Sequence, residues 1–265
     1  MRDERRSAPR LAAVTVGLLA ALGVVATLAH RPAQNAAVDG APRPEAEVSR
    51  TGPDRAAGTV HTPRLRAVDA LDLSAHSATD PSSIWVVVNK AHPVSPLGFR
   101  PRLNIVRGYQ VARAAAVPLA RLLRAGDAAG MGFKIASAFR SFAYQEQVHE
   151  AVVASVGTAA ADRTSARAGY SEHQTGLAVD LITPAHPGCD FDACFADTPA
   201  GRWLAHNAAR YGFILRYTAR SQAITGYRPE PWHIRYVGRP LAVAMRTAGI
   251  TTLERVFHVT GGDYR

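Results

Sequence analysis

The pattern of apolar and polar residues divides the chain into an apolar N-terminal stretch, a segment without periodicity and a long folded region. An uncharged run covers residues 11–29, after four arginines within the first ten residues. A helix of this length would measure about 28 Å, close to the hydrocarbon thickness of a bilayer. Residues 31–64 are rich in Pro, Ala and isolated charges, which is typical of a flexible linker. We therefore expect a folded domain over residues 65–265.

Within the folded region, the periodicity changes repeatedly between that of strands and that of helices. Short apolar runs predict strands, and apolar residues three or four positions apart predict helices. The predicted strands cover residues 84–88, 133–138, 177–182, 213–217 and 233–237. The predicted helices cover residues 109–129 (with a kink at Pro118), 143–156, 199–211, 240–248 and 252–257. Because strands and helices do not alternate regularly, the pattern favours an α+β fold over a doubly wound sheet.

The N-terminal run also predicts where the folded domain lies. Arg2, Arg5, Arg6 and Arg10 precede the run, which orients the N-terminus towards the cytoplasm and the remainder outside the membrane. The length of the run favours a signal anchor, so that residues 1–30 form a cytoplasmic tail and a transmembrane helix. A cleaved signal peptide, with a site near residues 34–37, is the alternative, and the protein would then be secreted.

The net charge and the cysteines fit an extracellular setting. A net charge of +10 favours polyanionic surroundings such as an anionic cell wall. No nucleic-acid-binding motif is found in the sequence, so we expect no nucleic-acid partner. Cys189 and Cys194 bracket a short loop, and in an oxidising compartment this spacing favours a local disulfide. A two-cysteine metal site would lack its other ligands nearby.

Three polar clusters are candidates for chemistry, and they cover residues 137–145, 171–180 and 230–235. His173, Asp180 and His233 supply the nitrogen and oxygen ligands of a hydrolytic zinc site, which keeps one position open. Asp180 lies in an otherwise apolar strand, where an unpaired charge would be costly. Glu230 precedes His233 by three residues and could take a proton from a water that attacks a carbonyl.

Other residues of these clusters fit the same cleft. Arg140 follows a predicted strand and offers a forked, permanently charged donor to a substrate carboxylate or oxyanion; a surface salt bridge is its alternative role. Trp232 is expected to form a wall of the cleft. The sequence has no His-Glu-x-x-His, Ser-x-x-Lys or Gly-x-Ser-x-Gly motif, which argues against the peptidases and hydrolases that carry those signatures.

Four blocks in the order WVVVNKAHPVSP, SAFRSFAYQ, SEHQTGLAVD and TGYRPEPWHIRYVG resemble the VanY-like D-alanyl-D-alanine carboxypeptidases, which are zinc peptidases of bacterial cell-wall metabolism. The blocks cover about residues 83–240. The resemblance implies a compact single α+β domain, with a small antiparallel sheet at the site and helices flanking it. One departure is Phe139, where the family commonly has tyrosine. The loop of Cys189 and Cys194 is not part of the family motif.

The resemblance also implies a role for each site residue. It implies Zn2+ bound by His173, Asp180 and His233, with Glu230 as the catalytic base. It implies that Arg140 and Ser171 hold the substrate or its oxyanion and that Gln145 belongs to the same cleft.

The activity implied by the resemblance is a zinc-dependent D,D-carboxypeptidase that hydrolyses the terminal D-Ala-D-Ala bond of peptidoglycan stem peptides. We expect a monomer attached to the membrane through its N-terminal helix. A D,D-dipeptidase and a crosslink-cutting endopeptidase are close alternatives. A non-catalytic, zinc-stabilised peptidoglycan-binding module is a third. Glu230 favours catalysis, because a purely structural zinc site needs no base.

Overall fold

The computed structural model describes residues 66–264. These residues fall within a single compact unit, Gly58–Arg265. The signal anchor predicted at residues 11–29 and the linker predicted at residues 31–64 lie outside the described part and stay predictions. Between residues 66 and 264, no helix has the length and apolar character needed to cross a membrane.

Helices and strands are mixed along the described residues, as the sequence predicts. The strands are β1 (Leu103–Val106), β2 (Tyr109–Ala112), β3 (Lys134–Ser137), β4 (Ala178–Ile182), β5 (Phe213–Tyr217) and β6 (Glu230–Tyr236). The α-helices are α1 (Arg66–Asp69), α2 (Arg113–Ala128), α3 (Phe142–Val156), α4 (Thr158–Ala161), α5 (Pro199–Asn207), α6 (Gln222–Thr225), α7 (Arg239–Ala248) and α8 (Leu253–Phe257). Short 3₁₀ turns cover Glu172–Thr175, Pro187–Cys189, Ala193–Asp197 and Ala208–Tyr211. The prediction of an α+β fold is confirmed.

A four-stranded antiparallel sheet carries the polar residues singled out in the sequence. Its strand order is β3-β4-β6-β5. Asp180 on β4 pairs with His233 on β6 and also with Ser137 on β3. Since side chains of a strand alternate between its two faces, Val179 and Leu181 point away from Asp180 and enter the main core. The pairing register therefore places Asp180 and His233 side by side on one face of the sheet.

The opposite face of the sheet packs against helices. The apolar residues of α2, among them Leu119, Leu122 and Leu123, are fully buried in the core cluster that also contains Phe133 and residues of the sheet. On the other face, beside the polar residues, a second apolar cluster joins α7 to Ile214 of β5 and to Trp85. Apolar burial on this scale contributes about 25 cal/mol for each Å² removed from water, and it makes the sheet a rigid support for the polar face.

The prediction of a strand at residues 84–88 is wrong. Trp85 to Val88 are buried, as their composition predicts, but they pair with no strand within residues 66–264. The carbonyl oxygens of Ile84 and Val86 instead accept hydrogen bonds from Nη2 of Arg235, at 3.2 and 2.8 Å. A buried guanidinium thus satisfies backbone groups that a strand partner would otherwise satisfy.

The helix predicted to begin at Tyr109 begins at Arg113 instead. Residues Tyr109–Ala112 form β2, which pairs with β1 in a hairpin. The two-residue turn, Arg107 and Gly108, has positive φ at both positions (48° and 86°), as a type I′ hairpin turn requires. Pro118 lies inside α2, which continues to Ala128.

The other predicted elements are confirmed, with shifted ends. The helix predicted at residues 199–211 is α5 followed by a 3₁₀ turn, and Thr198 caps its first turn by accepting from the backbone N–H of Gly201. The last strand begins at Glu230 rather than at His233. The predicted disulfide between Cys189 and Cys194 is present.

Candidate metal and peptidase site

His173 lies in a short 3₁₀ turn, Glu172–Thr175, which directly precedes β4. The hydroxyl of Ser171 caps this turn by accepting from the backbone N–H of His173 at 3.3 Å. Gly176 ends the turn with a left-handed φ of 66°, which only glycine adopts without strain. A Cβ at Gly176 would also lie 2.8 Å from the backbone nitrogen of Ala112. The glycine of this motif is therefore required by both conformation and space.

His173, Asp180 and His233 converge at the centre of the site. Each offers one ligand atom, and these atoms all lie within 4.8 Å of one another. Nε2 of His173 is 3.1 Å from Oδ2 of Asp180, and Nδ1 of His233 is 3.2 Å from Oδ1 of Asp180. All three side chains are buried. The sequence separates these residues by up to 60 positions, and the β4–β6 pairing brings them together.

The donor set and the hydrogen bonding of this cluster fit a zinc ion. Nε2 of His173 and Oδ1 of Asp180 are buried and have no hydrogen-bond partner among the described residues. Buried polar atoms are normally satisfied, so these two atoms are suited to a cation. Two imidazoles and one carboxylate are a ligand set that catalytic zinc uses, with a further position for water or substrate. Zinc ligation by the three residues stays a prediction of the sequence that this geometry permits.

The two histidines differ in their protonation. Burial, followed by the positive charge of Arg140, lowers the pKa of His173 to about 4, so its imidazole is neutral. Burial also opposes the charging of His233, but the carboxylates of Asp180, Glu172 and Glu230 raise its pKa well above the ordinary value. A cation coordinated at Nδ1 of His233 would take the place of a proton that faces Asp180 and Glu230.

Glu230 lies beside this cluster at the start of β6. Its Oε2 is 3.4 Å from Nδ1 of His233. Burial raises the pKa of the Glu230 carboxyl, and the neighbouring His233 partly offsets this effect. A raised pKa improves the match between a general base and neutral pH. Glu230 is therefore positioned to transfer a proton next to the three candidate metal ligands.

Arg140 lies next to Asp180, and hydrogen bonds to two neighbouring side chains hold its guanidinium group. Its Nε donates to Oε1 of Gln145 at 2.8 Å, and its Nη1 donates to the hydroxyl of Ser137 at 2.8 Å. Nη1 also lies 3.7 Å from Oδ2 of Asp180. The amide of Gln145 is further engaged with the carbonyl of Ala166 at 2.7 Å. The structure thus places Gln145 behind Arg140, where it orients the guanidinium.

A cleft of about 460 Å³ opens over these groups. Its lining includes Arg140, Ser171, Glu230 and the three candidate ligands. Trp232 forms part of one wall and contacts Phe191, with a ring-centroid separation of 5.9 Å. Phe191 belongs to the loop that the Cys189–Cys194 disulfide closes. This loop therefore forms part of the rim of the cleft.

Several buried polar residues around the site were not identified from the sequence. Tyr217 lines the cleft, and its ring centroid lies 4.8 Å from that of His233. Glu172, Arg216 and Arg235 form a buried ionic cluster beneath the site. A signal existed for Arg216, since it lies in the apolar strand β5 just as Asp180 lies in β4. Glu172 carried no such signal, because it sits in a polar turn.

Comparison with known proteins finds matches over most of the residues that the structure describes. The VanY profile, described as D-alanyl-D-alanine carboxypeptidase, matches residues 108–239. YodJ of Bacillus subtilis (strain 168), a carboxypeptidase by name, is 30% identical over 204 residues, which is 73% of this chain and 72% of YodJ.

Two solved structures share the fold at 31% identity. One is the LdcB LD-carboxypeptidase, with a TM-score of 0.61 over 69% of this chain and 89% of LdcB. The other is a mutant of the vancomycin resistance D,D-pentapeptidase VanY in complex with Zn(II), with a TM-score of 0.57 over 65% of this chain and 97% of that one. The chain belongs to the VanY family of D-alanyl-D-alanine carboxypeptidases.

Proposed function

We propose that the protein is a zinc-dependent D,D-carboxypeptidase that removes the terminal D-Ala from peptidoglycan stem peptides. The observation that carries this proposal is one cleft that contains the His173, Asp180 and His233 cluster, Glu230 beside it and Arg140 on its wall. The zinc-bound structure of the related VanY enzyme supports the choice of metal.

Each group has a task in this reaction. A zinc ion held by His173, Asp180 and His233 supplies Lewis acidity and lowers the pKa of water. Glu230 takes the proton of the attacking water and returns it to the amine of the leaving D-Ala. Arg140 binds the free C-terminal carboxylate, which a forked guanidinium recognises in a bidentate manner. Ser171 lines the same cleft, and we assign it to the substrate or its oxyanion.

The similarity to the LdcB LD-carboxypeptidase favours L,D-carboxypeptidase activity as a second candidate. The two reactions differ in the configuration of the residue before the scissile bond, and the ligand cluster is compatible with either. The D,D-dipeptidase, the endopeptidase and the non-catalytic binding module are further outcomes of the same assay.

The assay that distinguishes these functions uses the purified full-length chain and two stem peptides, a pentapeptide ending in D-Ala-D-Ala and a tetrapeptide ending in one D-Ala. Release of free D-Ala from the pentapeptide supports the D,D-carboxypeptidase. Release of D-Ala from the tetrapeptide alone supports the L,D-enzyme. Hydrolysis of added free D-Ala-D-Ala dipeptide to two D-Ala, without cleavage of either stem peptide, supports the D,D-dipeptidase. Zinc binding without any cleavage of these peptides or of crosslinked peptidoglycan leaves only the binding module.

Replacing Arg140 by lysine is expected to weaken recognition of the C-terminal carboxylate. Lysine keeps the charge but loses the forked donor, and a hydrogen bond to a charged group contributes about 1.5–3 kcal/mol. We therefore expect kcat/KM for the pentapeptide to fall by about 10- to 100-fold. The same peptide with an amidated C-terminus is the control, since its cleavage should be slow and nearly equal in both proteins. An equal loss on both peptides, or a loss of bound zinc, contradicts carboxylate recognition by Arg140.

The location of the domain is also a proposal. We place it outside the cytoplasmic membrane and treat the protein as a membrane-anchored monomer. The arginine-flanked run at residues 11–29 supports the anchor, and the Cys189–Cys194 disulfide supports an oxidising compartment.

A further inference from the structure

Glu172 lies at the junction of a fully buried ionic cluster under the candidate metal site. Its Oε1 accepts hydrogen bonds from Nε of Arg216 at 2.8 Å and from Nη1 of Arg235 at 2.7 Å. Arg216 also pairs with both carboxylate oxygens of Glu254, at 2.7 and 2.9 Å. Two arginines and two glutamates balance their charges here, as buried charges must. One oxygen of Glu172 is therefore fixed by two guanidinium groups.

The other oxygen of Glu172 faces His233. Oε2 of Glu172 lies 3.5 Å from Nε2 of His233. Both atoms are buried, and neither has a hydrogen-bond partner elsewhere among the described residues. One is an acceptor and the other can carry a proton, so each is the natural partner of the other. The opposite ring nitrogen of His233, Nδ1, faces Asp180 at 3.2 Å and Glu230 at 3.4 Å.

His173 is held in the complementary way. Its Nδ1 lies 2.6 Å from the carbonyl oxygen of Ala138. A carbonyl only accepts, so Nδ1 carries the proton, and the lone pair of Nε2 faces Asp180. A backbone carbonyl thus fixes the tautomer of one histidine, while the Glu172 carboxylate is available to fix that of the other.

We propose that Glu172 is a positioning residue: it accepts the Nε2–H of His233 and thereby directs the Nδ1 lone pair of that ring at the metal. The proposal rests on the metal site of the proposed function. Carboxylate partners of this kind hold metal-bound histidines in one tautomer and orientation, and their loss typically costs 10- to 100-fold in metal affinity. Arg216 and Arg235 act through Glu172, since they fix its carboxylate.

The variant Glu172→Gln tests this role in the full-length protein. Glutamine keeps the shape, and its carbonyl oxygen can still accept from the two arginines. Its amide then points an N–H at Nε2 of His233, which favours the tautomer with the proton on Nδ1, where the metal should bind. We expect the zinc dissociation constant, measured by competition with a chromophoric chelator, to rise by about 10- to 100-fold.

Glu254→Gln is the matched control. It removes the same charge from the same cluster, and Glu254 is equally buried, but it contacts Arg216 and Asn89 rather than His233. We expect this variant to lose thermal stability and to bind zinc nearly as tightly as the wild type. Equal zinc affinity in Glu172→Gln and the wild type, or equal weakening in both variants, overturns the proposal.

A second measurement does not depend on the folding of a variant. Long-range ¹H–¹⁵N NMR of the zinc-loaded wild type should show a proton on Nε2 of His233 and the metal-bound shift on Nδ1; the reverse assignment overturns the proposal. These readouts are independent of catalysis. Zinc binding with the expected tautomer but without peptide cleavage would refute the proposed enzyme and leave the role of Glu172 standing. A wild type that binds no zinc refutes both.

Discussion

Replacing Glu230 by glutamine is expected to lower kcat for the pentapeptide by about 10²–10⁴-fold, the contribution of a positioned general base. Glutamine preserves the shape of the side chain but cannot accept the proton of water. Glu230 lies 3.4 Å from Nδ1 of His233 and lines the cleft, so no other carboxylate is needed to explain proton transfer. D-Ala release under substrate saturation measures the effect.

Two controls separate the loss of a base from the loss of the site. Zinc content should stay at one ion per chain in Glu230→Gln, since Glu230 is not among the predicted ligands. Glu146→Gln removes an exposed carboxylate from α3, outside the cleft, and should leave kcat unchanged. A Glu230→Gln protein that retains full activity with bound zinc would contradict the role of Glu230 and assign the base to another group.

The sequence predicted the elements that carry the site better than the elements around it. Strand β4 was recognised because its apolar run is interrupted only by Asp180. Burying this carboxylate is costly unless it is paired with another group, which pointed to a site. Residues 84–88 are also an apolar run, but they do not form a strand. Arg235 instead donates hydrogen bonds to two of their carbonyl oxygens. The hairpin at β2 was missed because its turn is Arg107-Gly108, which lacks the Asn-Gly or Asp-Gly signal of such turns.

For the candidate site, too, the sequence predicted the central residues better than the residues around them. The motifs identified the residues that meet at the centre, and the register of β4 with β6 supplies the proximity that spacing alone could not. The residues beneath the centre escaped prediction because their partners are far apart in the chain: Glu172 pairs with Arg216 and Arg235, at separations of 44 and 63 positions. Only tertiary structure reveals which buried charges compensate one another.

Removing the metal is expected both to stop peptide cleavage and to lower the free energy of unfolding of the domain. Prolonged dialysis against a chelator should reduce D-Ala release to background, and added zinc should restore it. At a free zinc concentration about 100 times the dissociation constant, binding stabilises the folded protein by about 2.7 kcal/mol. The melting temperature should therefore rise when zinc is returned to the dialysed protein, as calorimetry with matched samples can measure.

Asp180→Asn tests whether this effect belongs to the predicted ligand cluster. Asparagine keeps the volume but removes the charge that lies 3.1 and 3.2 Å from the two histidines, so both zinc binding and activity should be lost. Asp162→Asn is the control, because Asp162 pairs with Arg167 and His149 and does not line the cleft. If dialysed protein without measurable zinc still released D-Ala, the cluster would have to work without a metal. Because Nε2 of His173 and Oδ1 of Asp180 are buried without a hydrogen-bond partner among the described residues, we expect zinc to be required for both the stability of the site and the reaction.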